Sequence, residues 1–399
     1  MQAIWKETTI GDAPIHIGDG NYSSMYPKSS EFVSSGVPFI TASDFRNGRI
    51  SPESFRFISS AQHATLKKGH LKKGDVLIVT RGNGVGNVTW VDAEFEGSNI
   101  NAQLVLLRAD ENEIHNRFLY YLLSSKEYQE LLVSFASGSA QPQIPIRSLV
   151  RVPVRYPSIT EQHAIAKFLS VLDDKIEINR RMNRTLESMA RAIFRQWFVE
   201  NEDVEEWDVV PLPEIIEVNP TRLLKKGEVA PYLDMANMPT EGHRGIEWID
   251  RSFGSGMKFI NGDTLLARIT PCLENGKTAF VDFLKDGQVG WGSTEYIIFR
   301  PKPPLTPEYG YYLARSEELR NHAIVNMTGT SGRQRTPASC FNNFSVAVPP
   351  IELAKRFGNF AKSVIDKVRA NDEESRTLAR LRDALLPKLM RGEVRVKDV

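Results

Sequence analysis

The sequence holds only two cysteines, Cys272 and Cys340, among its 399 residues. Two thiols cannot build a disulfide framework, and their scarcity points to a reducing compartment, the cytoplasm. There is no run of about 18 apolar residues, so no membrane-spanning helix is expected. The N-terminal segment, Met-Gln-Ala-Ile-Trp-Lys-Glu, lacks the basic start and apolar stretch of a secretory signal. The seven histidines are scattered and form no His-Glu-x-x-His or other zinc spacing. Charge of one sign is also missing overall: the net charge is +1, weak for a nucleic-acid binder judged on bulk charge.

Acids are missing in a more informative way. Leu131 to Thr160 contains no Asp or Glu but carries Arg147, Arg151 and Arg155. Leu319 to Ile351 is likewise acid-free and carries Arg320, Arg333 and Arg335. With 49 acids in the chain, roughly four would be expected in each window. A surface that faces phosphates would exclude carboxylates in this way; a Ser/Thr/Pro-rich loop beside a buried strand would also be poor in them.

What is present is a repetition. Pro157-Ser-Ile159 opens a long helical stretch through Phe198, and Pro349-Pro-Ile351 opens another through Met390, 192 residues later. Phe118-Leu-Tyr-Tyr-Leu-Leu-Ser-Ser-Lys-Glu127 matches Tyr309-Gly-Tyr-Tyr-Leu-Ala-Arg-Ser-Glu-Glu318, and Gly74-Asp-Val-Leu-Ile78 matches Gly262-Asp-Thr-Leu-Leu266. One module copied once predicts two similar halves related by an approximate twofold axis. Length favours two to three domains, and 41% hydrophobic with 25% charged residues is ordinary for globular protein.

Within the first half, Asp75–Arg81, Leu104–Arg108 and Val150–Val154 read as strands, and about 116–136 as a helix. In the second half, Thr264–Arg268, Tyr296–Arg300 and Ser345–Val348 read as strands and Pro307–Met327 as mostly helix. The long stretches carry heptad seams. Ile165, Leu172, Asn179, Leu186 and Ile193 form one row, and Leu169, Ile176, Asn183, Ala190 and Trp197 a second. In the other copy Phe357, Val364, Asn371, Leu378 and Leu385 lie beside Ala361, Val368, Ser375, Arg382 and Leu389. Each stretch would span roughly 60 Å as a helix, and the two are natural partners in an antiparallel coiled coil. Asn179 and Asn371 share one seam position, where a polar residue would fix register at a cost in stability; a seam locally open to water is the alternative.

Motifs for catalysis are mostly absent. Pro271-Cys-Leu-Glu-Asn-Gly-Lys-Thr278 falls one glycine short of a phosphate loop, and Ala-Phe-Val-Asp-Phe follows it, so strand–loop–strand is the expected reading. Arg81-Gly-Asn-Gly-Val-Gly-Asn87 is the counterpart loop, with no helix after it. No Asn/Asp-Pro-Pro-Tyr/Phe signature of an amino-methyltransferase occurs; Asn219-Pro-Thr is the nearest approach. Asp75 and Asp263 precede strands without forming a convincing nuclease site. Residues able to read bases do cluster: Gln141 and Gln143 in the first acid-free window, and Arg333, Gln334 and Arg335 at the corresponding place in the second. Arg46, Arg49, Arg81, Asn83, Asn101, Gln103, Arg268 and Lys277 are further DNA-binding candidates. Each could equally be a solvated loop residue.

Taken along its whole length, the chain resembles the specificity subunits of type I restriction-modification systems. The resemblance rests on the order variable domain, long helix, variable domain, long helix, on Gly262-Asp-Thr-Leu-Leu-Ala-Arg268 with Pro271–Lys277, and on the helix opening Pro157-x-Ile159-x-Glu161-Gln162. The second copy departs there, with Leu353-Ala354 in place of Glu-Gln. The resemblance implies mixed α/β target-recognition domains at 1–157 and 205–349, and helical spacers at 158–204 and 350–399 that set half-site spacing. It implies no catalysis and no cofactor in this chain. Its implied partners are double-stranded DNA, two methyltransferase subunits carrying S-adenosylmethionine, and motor-nuclease subunits using ATP and Mg. Arg180, Arg181, Arg184, Arg191 and Arg195 on the first helix are candidate docking residues. An enzyme with unrecognised motifs and a scaffold without sequence preference are the competing readings.

Overall fold

The computed structural model describes residues 5–22, 26–46, 48–138, 141–330 and 332–396. The first four residues of the N-terminal segment, parts of both acid-free windows (139–140 and 331) and the last three residues lie outside them. The chain divides into two compact units, Met1–Lys175 with Thr377–Val399, and Ile176–Arg376. Each takes a share of both 40-residue helices, Ile159–Phe198 and Ile351–Met390, so the compact units cut across the segment boundaries expected from sequence.

The first unit is built on a six-stranded sheet. From one edge it runs Ile15–Asp19, Leu104–Ala109, Val76–Val79, Val88–Trp90, all antiparallel neighbours. The second unit repeats that order with Ile216–Val218, Tyr296–Pro301, Thr264–Ala267 and Thr278–Phe280. Covered on both faces, the inner strands Val76–Val79, Leu104–Ala109, Thr264–Ala267 and Tyr296–Pro301 are buried at nearly every position, which is why they stand out in the sequence as continuous apolar runs rather than alternating ones. A smaller sheet accompanies each. Val37–Ile40 pairs in parallel with Asn99–Ile100, and Val229–Leu233 pairs in parallel with Gly290–Gly292. A terminal pair completes the likeness: Lys6–Thr9 with Pro153–Tyr156, and Val209–Pro211 with Ser345–Ala347.

Two expected elements differ. The helix expected at 116–136 is two, Asn116–Ser124 and Lys126–Ser134. Ser125 adopts extended angles (φ −64°, ψ 148°), and its hydroxyl donates to the Leu122 carbonyl at 2.7 Å, closing off the first helix. Ser316 makes the same break in the second unit (φ −64°, ψ 149°) between Pro307–Ala314 and Glu317–Val325. The strand expected at 150–154 begins later, at Pro153. A short helical turn, Ile146–Leu149, precedes it and brings Leu149 and Val152 into the core.

The long helices pack antiparallel within each unit. In the first, Asp173 on the one helix meets Arg382 on the other at 2.7 Å, and the earlier Glu161 meets the later Arg395 at 3.8 Å. In the second, Ala190 and Phe194 share a core with Phe357, Ala361 and Val364, and Asn179 lies against Asn371. Asn179 and Asn371 are both buried. Asn179 Nδ2 donates to Glu374 Oε2 (2.8 Å) and Ser375 Oγ (3.2 Å), and Asn371 Nδ2 donates to Asn183 Oδ1 (2.8 Å). The seam there is closed by side-chain amides.

Candidate nucleic-acid interface

The two acid-free windows enter equivalent backbone frames. In the first unit three segments meet: Thr80–Gly82, Gln103, and the window around Gln143. Thr80 N donates to Gln103 O (2.8 Å), Gly82 N to Pro142 O (3.1 Å), and Ile144 N to Thr80 O (2.8 Å). Gln143 and Ser137 exchange both backbone hydrogen bonds, at 2.9 and 2.8 Å. In the second unit Arg268 N donates to Glu295 O (3.0 Å), Thr270 N to Gln334 O (3.1 Å), and Thr336 N to Arg268 O (2.8 Å). Arg335 and Thr328 exchange both bonds, at 2.8 and 2.9 Å. Even the turn before the second segment is shared: Asn101 Oδ1 accepts from Gln103 N, and Ser293 Oγ from Glu295 N, each at 3.1 Å. Gly82 sits in this frame with φ +89°, the left-handed region that a glycine occupies freely.

The side chains on that common frame differ. Thr80, Gln103 and Gln143 occupy the positions that Arg268, Glu295 and Arg335 hold in the second unit. The first set is uncharged: Gln103 Oε1 accepts from Asn101 Nδ2 (3.0 Å), and Gln143 makes no side-chain hydrogen bond among the described residues. The second set is ionic. Arg335 Nε donates to Glu295 Oε1 at 2.8 Å, its Nη1 reaches Arg333 O at 3.2 Å, and its side chain remains 43% exposed. Arg268 Nε lies 4.0 Å from the other oxygen of Glu295.

The other candidates divide by what the fold does with them. Arg81, Asn83, Gln141 and Arg333 are exposed, and Gln334 is half-buried. Arg46 is exposed, with Nη1 folded back on Ser43 O and Phe45 O. Three are tied into the structure by their own contacts. Arg49 is 17% exposed and bridges Asp92 (3.1 Å) to Asp174 on the long helix (3.0 Å). Asn101 is buried as the turn residue just described. Lys277 Nζ donates to the carbonyls of Met235 (2.6 Å) and Ala236 (3.3 Å), and its loop joins two strands rather than opening a helix. Glu295 went unremarked in the sequence because it lies outside the acid-free window; the 192-residue offset pairs it with Gln103 and could have found it.

Asp75 and Asp263 are structural in both units. Asp75 receives Arg108 Nε and Nη2 at 2.7 Å each and Lys72 N at 2.8 Å; Asp263 receives Arg300, Arg222 and Ile260 N. Burial raises the Asp263 carboxyl above its usual range, against the pull of Ile260 N and the two arginines. No group of His, Cys, Asp and Glu able to hold a metal ion occurs among the described residues, and no described helix is long and apolar enough to cross a membrane.

A family described as the type I restriction modification DNA specificity domain matches residues 5–188. The MjaIX specificity subunit of Methanocaldococcus jannaschii is 23% identical over 99% of this chain and 97% of its own length. The HindI specificity subunit of Haemophilus influenzae is 22% identical over 98% of this chain and 99% of its own. Residues 5–188 thus match a type I restriction-modification DNA specificity domain, and the chain is similar along its whole length to type I specificity subunits. The fold agrees: the crystal structure of a type I S subunit from M. genitalium superposes with a TM-score of 0.58 at 19% identity, over 97% of this chain and 96% of that one. Specificity subunits supply DNA sequence recognition, a non-catalytic role in a restriction-modification system.

Proposed function

We propose that each unit of this specificity subunit reads one half of a bipartite, asymmetric DNA site, and that the paired helices set the spacing between halves. The observation that carries this reading is the equivalent frame furnished with different side chains, uncharged amides in one unit and an Arg–Glu–Arg set in the other. A shared frame would meet DNA in the same way twice, and different side chains would ask for different bases. Phosphate contacts would come from exposed cations of the acid-free windows, such as Arg333, where no carboxylate repels the backbone. The repeat also supplies the same docking surface twice, which supports two methyltransferase subunits per chain. Those subunits would bring S-adenosylmethionine, and motor-nuclease subunits would bring ATP and Mg. The complex would act in the cytoplasm, in keeping with two free thiols, Cys272 and Cys340.

The test is selection from random duplex DNA by the chain assembled with its methyltransferase subunits. The expected product is two short motifs at a fixed separation. A single motif, or none, would refute the bipartite reading; methyl transfer by the purified chain alone would favour the enzyme reading instead.

A further inference from the structure

We infer that the equivalent positions Gln103/Gln143 and Glu295/Arg335 are the base-reading pairs of the two units, the first directed at an A·T pair and the second at a G·C pair. This rests on the reading that each unit contacts its own half-site.

The pairs are matched by backbone, not by side-chain type. Gln143 and Arg335 each sit in a double backbone bond with a preceding window residue, Ser137 or Thr328, and each bridges the strand-end segment at Arg81 or Ile269. Their Cα positions are therefore pinned while their side chains leave the frame. Gln103 and Glu295 stand beside them, each immediately before a central strand and each with its backbone N–H capped by a side chain two residues earlier.

The chemistry follows from what is left unpaired. Arg335 uses Nε for Glu295 and one Nη1 hydrogen for Arg333 O, which fixes the guanidinium plane and leaves Nη2 with no hydrogen bond among the described residues. A braced guanidinium of this kind suits the O6 and N7 acceptors of guanine, and the carboxylate beside it suits the N4 amine of the paired cytosine. Arg268 near the same carboxylate leaves the set with one net positive charge, so it does not repel the duplex. In the first unit the matching set, Thr80, Gln103 and Gln143, carries no charge of its own, and Arg81 stands on the neighbouring segment. A glutamine amide both donates and accepts, as the N6 and N7 of adenine require, and Gln143 has no competing side-chain partner among the described residues.

The experiment uses the full complex with its methyltransferase subunits, and a panel of duplexes altered one base pair at a time across the selected site. For Arg335→Gln combined with Glu295→Gln, the expected result is a loss of about tenfold or more in discrimination at a single G·C position of one half-site, with the other half unchanged. For Gln143→Ala, the loss falls at a single A·T position of the opposite half. If the double variant fails to assemble, Gln143→Ala and Gln143→Arg, which should shift that A·T position toward G·C, decide the matter. Uniform weakening on every duplex, with the base profile unchanged, would overturn the inference while leaving the bipartite reading intact. A wild-type complex with no two-part preference would instead remove the reading on which it rests.

Discussion

His243 offers a quantitative check on how the second unit is held to its helix. Its ring is fully buried, with Nδ1 3.1 Å from Glu187 Oε1 on the first long helix and Nε2 3.5 Å from Asp282 Oδ2 just beyond the edge strand Thr278–Phe280. Burial alone would lower its pKa, but the two carboxylates that flank the ring, Asp282 and the hydrogen-bonded Glu187, outweigh it and raise the value from 6.5 to about 9. The folded state therefore binds the proton more tightly than the unfolded chain. The resulting stabilisation is fully present below pH 6.5, declines between 6.5 and about 9, and is gone above that. A difference of this size corresponds to about 3 kcal/mol, a large share of a domain's stability. Because the chain has two compact units, a local probe is preferable to a global melt. The Phe280 amide donates to the His243 carbonyl and reports on this region. Its native-state hydrogen exchange, corrected for intrinsic rates and measured at pH 6 and pH 9.5, should show the wild type losing about 3 kcal/mol more protection than His243→Gln. Equal pH dependence in the two proteins would mean the imidazole is neutral between its carboxylates, and the argument would fail.

Two further substitutions test the helix seam and the buried aspartates. Asn371→Leu alone removes the donor that Asn183 Oδ1 uses and should lower stability by about 1–2 kcal/mol. Replacing Asn179, Asn183 and Asn371 together by Leu should raise the melting temperature while loosening register, read by paired spin labels; a lower melting temperature would count against the seam argument. Asp75→Asn weakens a buried carboxylate's twofold contact with Arg108 and should cost about 3 kcal/mol in urea unfolding followed by Trp90 fluorescence.

Much of this structure was legible in the sequence because duplication is a strong signal. The repeated Gly-Asp before an apolar run marked the same buried strand twice, and the heptad rows marked both long helices. The breaks at Ser125 and Ser316 were not legible, since the residues on either side continue a helical pattern and the break turns on one serine hydroxyl, donating back to Leu122 O at Ser125 and accepting from Leu319 N to start the next helix at Ser316. The short strands of the smaller sheets, such as Val37–Ile40 and Val229–Leu233, were missed because Pro38 and Pro231 interrupt their apolar character. Among the candidate residues, type and spacing could not separate Gln143 and Arg335, whose side chains leave the shared frame, from Arg49 and Lys277, which the fold ties down. Partners far away in sequence decide those cases: Asp92 and Asp174 for Arg49, and the carbonyls of Met235 and Ala236 for Lys277.

The most direct test of two independent readers in one chain is an exchange of residues 1–157 for those of a related specificity subunit, followed by sequencing the methylated positions in a host carrying the complete system. One half of the methylated sequence should change to that of the donor, while the other half and the spacing stay as they were. A change in both halves, or in neither, would contradict the account.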